Sequence, residues 1–253
     1  MLAVNRHRKI LELLQAEGTV KVSELSQLLQ VTEKTVREDL EKLERKQLLK
    51  RIHGGAVPPL AGEQPAFTLQ VPNTINQAEK EKIALFAVEH FIEPHDIIAL
   101  DGGSTTLEMA KRLKGMPLTV VTNDLLIIRE LAVSEDTRLV VPGGFSHNNL
   151  LIQHDPMEWV KELNIHKLFL STTGIHLEYG LSIFSGEQIP MKKTLMDGAK
   201  EIICVADHSK FGRGALHTFG SIQDIDCFIT DAGLSEEVRQ SFLAEQVRIE
   251  IAE

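Results

Sequence analysis

From residue 79 onward, short apolar runs alternate with stretches of helical periodicity, and nothing else constrains the fold of this 253-residue chain as strongly. The runs are DIIAL, LTVVT, RLVVPG, KLFLS, EIICVAD and CFIT, each four to seven residues long. That is the length of a strand buried on both faces and too short for a packed helix. Helical patterns begin near Glu79, Thr105, Asp124, Asp155, Glu187 and Ser235. Strands separated by helices return to the same edge of a sheet and so pair in parallel. Residues 79–253 are therefore expected to form an α/β domain, a mainly parallel sheet with helices on both faces.

Residues 1–57 follow a different pattern. Ile10, Leu11, Leu13 and Leu14 lie on one helical face, and Gly18 ends that helix. TVKV is short and β-like, and Ser23 is the expected N-cap of a helix carrying Leu25, Leu28 and Leu29. After a turn at Val31, Thr32 caps a second helix with Val36, Leu40 and Leu43 at helical spacing. LLKRIHGGAV then alternates and ends in Gly54-Gly55, a hairpin signal. The series predicts a winged helix–turn–helix.

In that fold the second helix enters the major groove of double-stranded DNA by its N-terminal end. Thr32, Lys34, Thr35 and Arg37 share the outward face of its first turns. Arg37 has the fork for a guanine edge or a phosphate, and Lys34 suits a phosphate. Lys50 and Arg51, on the wing, are placed to reach flanking backbone.

Between the two patterns, residues 58–78 hold four prolines and little periodicity, which predicts a linker. Charge divides at the same place. Of the net −9, residues 1–57 carry 11 basic and 8 acidic side chains, or +3, and the remainder carries −12. A basic module on an acidic body directs DNA contact to the module. The two cysteines, Cys204 and Cys227, sit in apolar runs without metal-ligand spacing, as expected of reduced thiols in a cytoplasm. The start MLAVNRHRK is followed by helical periodicity rather than a leader, and no apolar run is long enough to span a membrane.

One α/β junction has distinctive chemistry. IIALDGGSTTLEMAKRL places Asp101, Gly102, Gly103, Ser104, Thr105 and Thr106 between a strand and a helix. Backbone N–H groups in a glycine-rich turn at a helix N-terminus suit an anion, and the hydroxyls add donors. A plain tight turn with a threonine cap is the alternative. The stretch lacks the Gly-Lys-Ser/Thr of a P-loop and the spacing of a dinucleotide fingerprint. Other strand ends point the same way: Thr122-Asn123, Gly143-Gly144 and Gly174, because ligands of open α/β sheets sit at the carboxyl ends of strands. Lys192 follows Glu187 on an expected helix, Asp207 and Lys210 follow a later strand, and the lysines are available to neutralise a phosphate.

The motif VSELSQLLQVTEKTVREDLEKLERKQLLKRIHGGAV resembles the DNA-binding domain of the DeoR family of bacterial sugar-metabolism regulators. The shared residues are Arg37, Asp39, Leu40, Leu43 and Gly54-Gly55. The resemblance extends through Asp101–Thr106, Thr122-Asn123, Pro142–Gly144, Glu187 with Lys192, and Asp207–Lys210. It implies an effector domain similar to ribose-5-phosphate isomerase, taking a phosphorylated sugar at its phosphate loop. The chain departs from the family pattern at FLSTTGIHLEYG and GGFSHNNLLIQHDP, loops that the resemblance places on the sugar side of the pocket.

Those isomerases carry an acidic loop where this chain has Ser171–Gly174, without a carboxylate, and proton abstraction beside a carbonyl needs such a base. No nucleophile elbow or paired zinc ligands occur either, so no catalytic residue, metal or cofactor is expected. The expectation is a homo-oligomeric repressor, dimer or tetramer, of a carbohydrate operon, with operator binding controlled by a phosphorylated sugar. An isomerase-like enzyme and a constitutive DNA-binding protein with a vestigial pocket are the alternatives.

Overall fold

The computed structural model describes residues 6–7, 9–11, 13–14, 18–45, 48–52, 54–57, 69–70, 72–153 and 158–253. The chain divides into two compact units, Met1–Thr68 and Leu69–Glu253.

In the first unit, the described residues within 6–14 are helical (α1). They are followed by β1 (Val20–Lys21), α2 (Val22–Leu29), α3 (Glu33–Arg45), β2 (Lys50–Ile52) and β3 (Gly55–Val57). The three strands pair antiparallel in the order β1-β3-β2. Ile10, Leu14, Leu25, Leu29, Val36, Leu40, Leu43 and Leu49 close one core with Val20, Val22 and Ala56. The second wing glycine has a steric cause, because a Cβ on Gly55 would lie 2.1 Å from the Val20 carbonyl oxygen.

One sequence expectation is corrected here. Ser23 does not cap α2; the helix opens one residue earlier, with Lys21 at the N-cap and no side-chain cap bond. The strand-to-helix junction is held instead by the Val22 N–H, which donates to the Gly54 carbonyl at 2.8 Å. Thr32 does act as expected, its Oγ1 accepting from the Thr35 N–H at 3.2 Å.

The second unit opens with α4 (Gln77–Phe91), β4 (Ile97–Leu100), α5 (Ser104–Arg112), β5 (Thr119–Val121), α6 (Leu125–Leu131) and β6 (Arg138–Val140). A hairpin follows, β7 (Phe145–His147) and β8 (Leu150–Ile152), then α7 (Glu158–Lys161) and β9 (Ile165–Leu170). The helix start expected near Asp155 lies outside the described residues. Next come β10 (Gly174–His176), β11 (Gly180–Ile183), α8 (Ile189–Gly198), β12 (Ala199–Val205) and β13 (His217–Gly220). The unit ends with β14 (Cys227–Asp231), α9 (Glu236–Ala244) and β15 (Ile249–Ala252).

Seven strands form one sheet in the order β15-β14-β12-β9-β4-β5-β6, every pair parallel. All six apolar runs read from the sequence belong to it; β15 is the seventh member. Alternation sends Ile98, Leu100 and Val120 to one face, under α4, α5 and α6. Ala99, Val121, Leu168 and Cys204 face the other layer, with α8, α9 and the antiparallel sheet β10-β11-β13. Strand order runs outward in opposite directions from β4 and β9, so the topological switch point lies between their carboxyl ends.

Residues 69–70 and 72–76, read as linker from their prolines, are bonded into this unit. The Gln70 N–H donates to Asn149 Oδ1 at 2.7 Å, and Asn149 Nδ2 returns a bond to the Gln70 carbonyl at 3.1 Å. Lys80 Nζ donates to the Asn73 carbonyl at 3.1 Å, and Asn76 Nδ2 to Asp207 Oδ1 at 2.7 Å. Low periodicity hid this, because the segment is held by side-chain amides rather than by a ladder.

Candidate functional site

On α3, Val36, Leu40 and Leu43 fill the core while Lys34 and Arg37 stand in solvent. The Arg37 side chain is 62% exposed, and among the described residues its guanidinium meets only Glu33, one turn earlier, at 2.6 Å. Such an exposed pair is worth little, so a phosphate or guanine edge competes readily for the fork. Lys50 and Arg51 lie on β2, with Arg51 near Glu44. Asp39 of the Arg-x-Asp-Leu motif has an internal role. It is buried and binds Arg6 at 2.7 Å and His7 at 2.9 Å, fastening α1 to α3. Burial pushes its carboxyl up, but those two partners outweigh burial and hold it below the ordinary value.

In the second unit, a cleft of about 290 Å³ opens at the carboxyl ends of β4 and β5. Gly102, Gly103 and Ser104 form one wall, and Asp124 with Leu126 another. The hairpin tip Asn148–Leu150 and Gln70, Pro72 and Asn73 line the cleft too, as does Gln188. Gly103 is the N-cap of α5 and supplies no side-chain cap. Among the described residues, no acceptor meets the N–H groups of Gly103, Ser104 and Thr105, nor any partner the hydroxyls of Ser104 and Thr105. Uncapped N–H groups at the positive end of a helix dipole form an anion seat. The seat is tight: a Cβ on Gly103 would lie 2.7 Å from Ser171 Cβ.

Behind the seat is a buried ion pair. Asp101 Oδ2 accepts from the Ser171 N–H at 2.9 Å and its Oγ at 2.8 Å, and also receives the Lys192 ammonium. Lys192, 2% exposed, donates in addition to the Ser171 carbonyl at 2.9 Å and lies over the Phe219 ring. This corrects the role read for Lys192. Its charge is committed to Asp101, and it serves the loop by fixing the ends of β4 and β9. Thr106 is likewise a brace, its hydroxyl donating to the Asp101 and Gly103 carbonyls at 2.6 and 2.9 Å.

The other expected residues divide. Thr122 Oγ1 accepts from the Asp124 N–H at 3.2 Å, and Asn123 Nδ2 donates to the Leu151 carbonyl at 3.0 Å. Both therefore shape the cleft from behind. Gly143 and Gly144 do not line it; Gly144 backs onto Ile152 at the base of the hairpin whose tip does. Gly174 packs in the antiparallel sheet against Ser182. Asp207 and Lys210 belong to a second cluster with Asn76 and the buried Lys80. Burial lowers the Lys80 ammonium from its usual value. No lysine or arginine among the described residues lines the cleft.

Asp124 was read only as a helix start. Its Oδ1 caps α6, accepting from the N–H groups of Leu126 at 2.7 Å and Ile127 at 3.1 Å. Burial pushes its carboxyl up to about 6, those two N–H groups pull it down, and the charge of Asp101 raises it. The Thr-Asn-Asp strand end was the available signal. The Asn148-Asn149 pair was visible too, within a loop assigned to the pocket by resemblance.

A winged helix–turn–helix joined to an α/β domain with an anion seat at its switch point defines a DNA-binding transcriptional regulator with a sensor domain. Residues 6–59 match the DeoR-like helix-turn-helix domain, and residues 75–232 match the DeoR C terminal sensor domain. The chain belongs to the DeoR family. It is 32% identical over 251 residues to the HTH-type transcriptional regulator IolR of Bacillus subtilis, covering 98% of both chains. It is 30% identical to the glycerol-3-phosphate regulon repressor of Escherichia coli, covering 99% of this chain and 100% of that one. Among solved structures, ribose 5-phosphate isomerase A from Methanocaldococcus jannaschii aligns with a TM-score of 0.40 at 17% identity, over 54% of this chain and 55% of that one. Among the described residues no helix is long and apolar enough to cross a membrane.

Proposed function

We propose that this regulator is a cytoplasmic repressor of a carbohydrate or polyol operon whose hold on its operator is released by a phosphorylated sugar or polyol. The observation that carries this reading is the start of α5 at Gly103–Thr105, whose N–H groups and hydroxyls have no partner among the described residues. The phosphate sits there, held by Gly102, Gly103, Ser104 and Thr105. Asp101, Thr106, Thr122, Asn123 and Lys192 keep the loop in shape, and Gly143, Gly144, Gly174, Asp207 and Lys210 support the surrounding loops. The protein acts as a regulator rather than as an enzyme: Asp101, the carboxylate directly behind the seat, is neutralised by Lys192 and hydrogen-bonded to Ser171, so it is not available as a base.

Thr32, Lys34, Thr35 and Arg37 of α3, with Lys50 and Arg51 of the wing, contact the operator. A homo-oligomer, dimer or tetramer, presents paired recognition helices to repeated half-sites, which multiplies affinity. Coupling runs through Gln70, Pro72 and Asn73, which line the cleft and lie on the stretch of chain that leads to the DNA-binding unit. A ligand that changes the Gln70–Asn149 clasp shifts that segment, and coupling of about 1–3 kcal/mol suffices for control.

Thr105→Glu tests the reading, since it sets a carboxylate in the anion seat. In an operator-binding assay the variant is expected to bind DNA normally and to be released by none of the sugar phosphates that release the wild type. Normal release would remove the loop from the mechanism.

A further inference from the structure

Asp124 carries more chemistry than a helix cap requires. Serine, threonine and asparagine cap as well as aspartate without bringing a charge into the fold. Only Oδ1 of Asp124 is engaged by α6. Its outer oxygen, Oδ2, meets no donor among the described residues, although the residue is only 6% exposed. The residue lines the cleft, and Oδ2 stands beside the phosphate loop: a Cβ on Gly102 would lie 3.2 Å from it. At neutral pH the group is ionised, its carboxyl titrating near 6. The neighbouring carboxylate, Asp101, is already compensated by Lys192.

We propose that Asp124 is a specificity-determining residue of the effector cleft, whose outer oxygen accepts a hydrogen bond from a ligand hydroxyl within a carbon or two of the phosphate ester. The proposal rests on the effector reading above and narrows it to polyhydroxylated phosphate esters. The physical reason is a balance of two terms at one oxygen. A carboxylate oxygen turned to a cleft has only the donors that the cleft's contents bring, so a ligand that displaces water there must supply a hydroxyl in its place. Inorganic phosphate in the adjacent seat meets the same charge and can answer it only by turning its own P–OH away from the seat, whereas an ester sets a carbon-borne hydroxyl against Oδ2 and leaves its phosphate oxygens to the loop. The site thereby discriminates against free phosphate, the most abundant competitor for any phosphate loop.

The test is calorimetric titration of full-length wild type, Asp124→Asn and Asp124→Ser. The probes are inorganic phosphate, glycerol 3-phosphate, ribose 5-phosphate and fructose 6-phosphate. Asparagine keeps a capping oxygen and replaces the outer oxygen by an uncharged amide; serine keeps a cap and removes the outer oxygen. Both variants are expected to melt cooperatively, as the wild type does. In both, the preference for the best ester over inorganic phosphate falls by roughly tenfold or more, as loss of a charge-assisted bond implies. An unchanged preference in both variants overturns the role of Asp124 and leaves the effector site standing. Wild type that binds inorganic phosphate as tightly as every ester also overturns it. Wild type that binds none of the four overturns the effector reading on which it rests.

Discussion

The helices α3 and α5 begin in opposite ways, and the contrast separates the two recognition tasks of the molecule. At α3, Thr32 satisfies a backbone donor internally, and the charges of Lys34 and Arg37 project into solvent, where we propose that they meet DNA. At α5, Gly103 satisfies none, and the backbone itself faces the cleft while the charges behind it are buried and paired. DNA offers a surface too broad to be enclosed, so long exposed side chains reach it. A small anion is enclosed instead, and fixed N–H groups hold it at no cost in side-chain entropy. Exposed charge is cheap to change in the first region, whereas buried charge in the second is not.

The largest effect is expected from breaking the buried pair. Lys192→Met leaves Asp101 without its cation and should lower stability by about 3–5 kcal/mol. The double variant Asp101→Leu/Lys192→Met should recover much of that loss, because the uncompensated charge is then gone. Chemical denaturation measures both, and equal losses in the single and double variants would contradict the arrangement. Next in size, Arg37→Ala should cost about 1–3 kcal/mol in operator affinity with no change in melting temperature or in sugar-phosphate binding. Gel shifts unaffected by the substitution would move the recognition surface away from α3. Smallest, Thr32→Ala removes the cap bond and should lower the stability of the first unit by about 1 kcal/mol, read from its melting curve. At α5 the matching change, Gly103→Ser, should fail to stabilise, since its side chain meets Ser171 before it can cap.

Much of this was legible along the chain. Six apolar runs identified six strands of the parallel sheet, because a strand covered on both faces must be apolar throughout. Thr32, Val36, Leu40 and Leu43 located the recognition helix, because capping and a 3.6-residue period are local properties. The Asp-Gly-Gly-Ser-Thr-Thr run marked the strand-to-helix turn at the start of α5 for the same reason. The strand β15 escaped notice because IEIA is short and partly exposed at the sheet edge.

What sequence left open were partnerships across long stretches of chain. Lys192 and Asp101 are 91 residues apart, and no spacing rule tells a lysine that binds ligand from one that neutralises a buried carboxylate. Gln70 and Asn149 are 79 apart, so a segment that reads as linker proves to be a wall of the cleft. Periodicity and capping depend on neighbours within a few residues and are written into the chain. Charge compensation and cleft walls depend on which distant groups the sheet brings within hydrogen-bonding distance, and only the folded arrangement decides that.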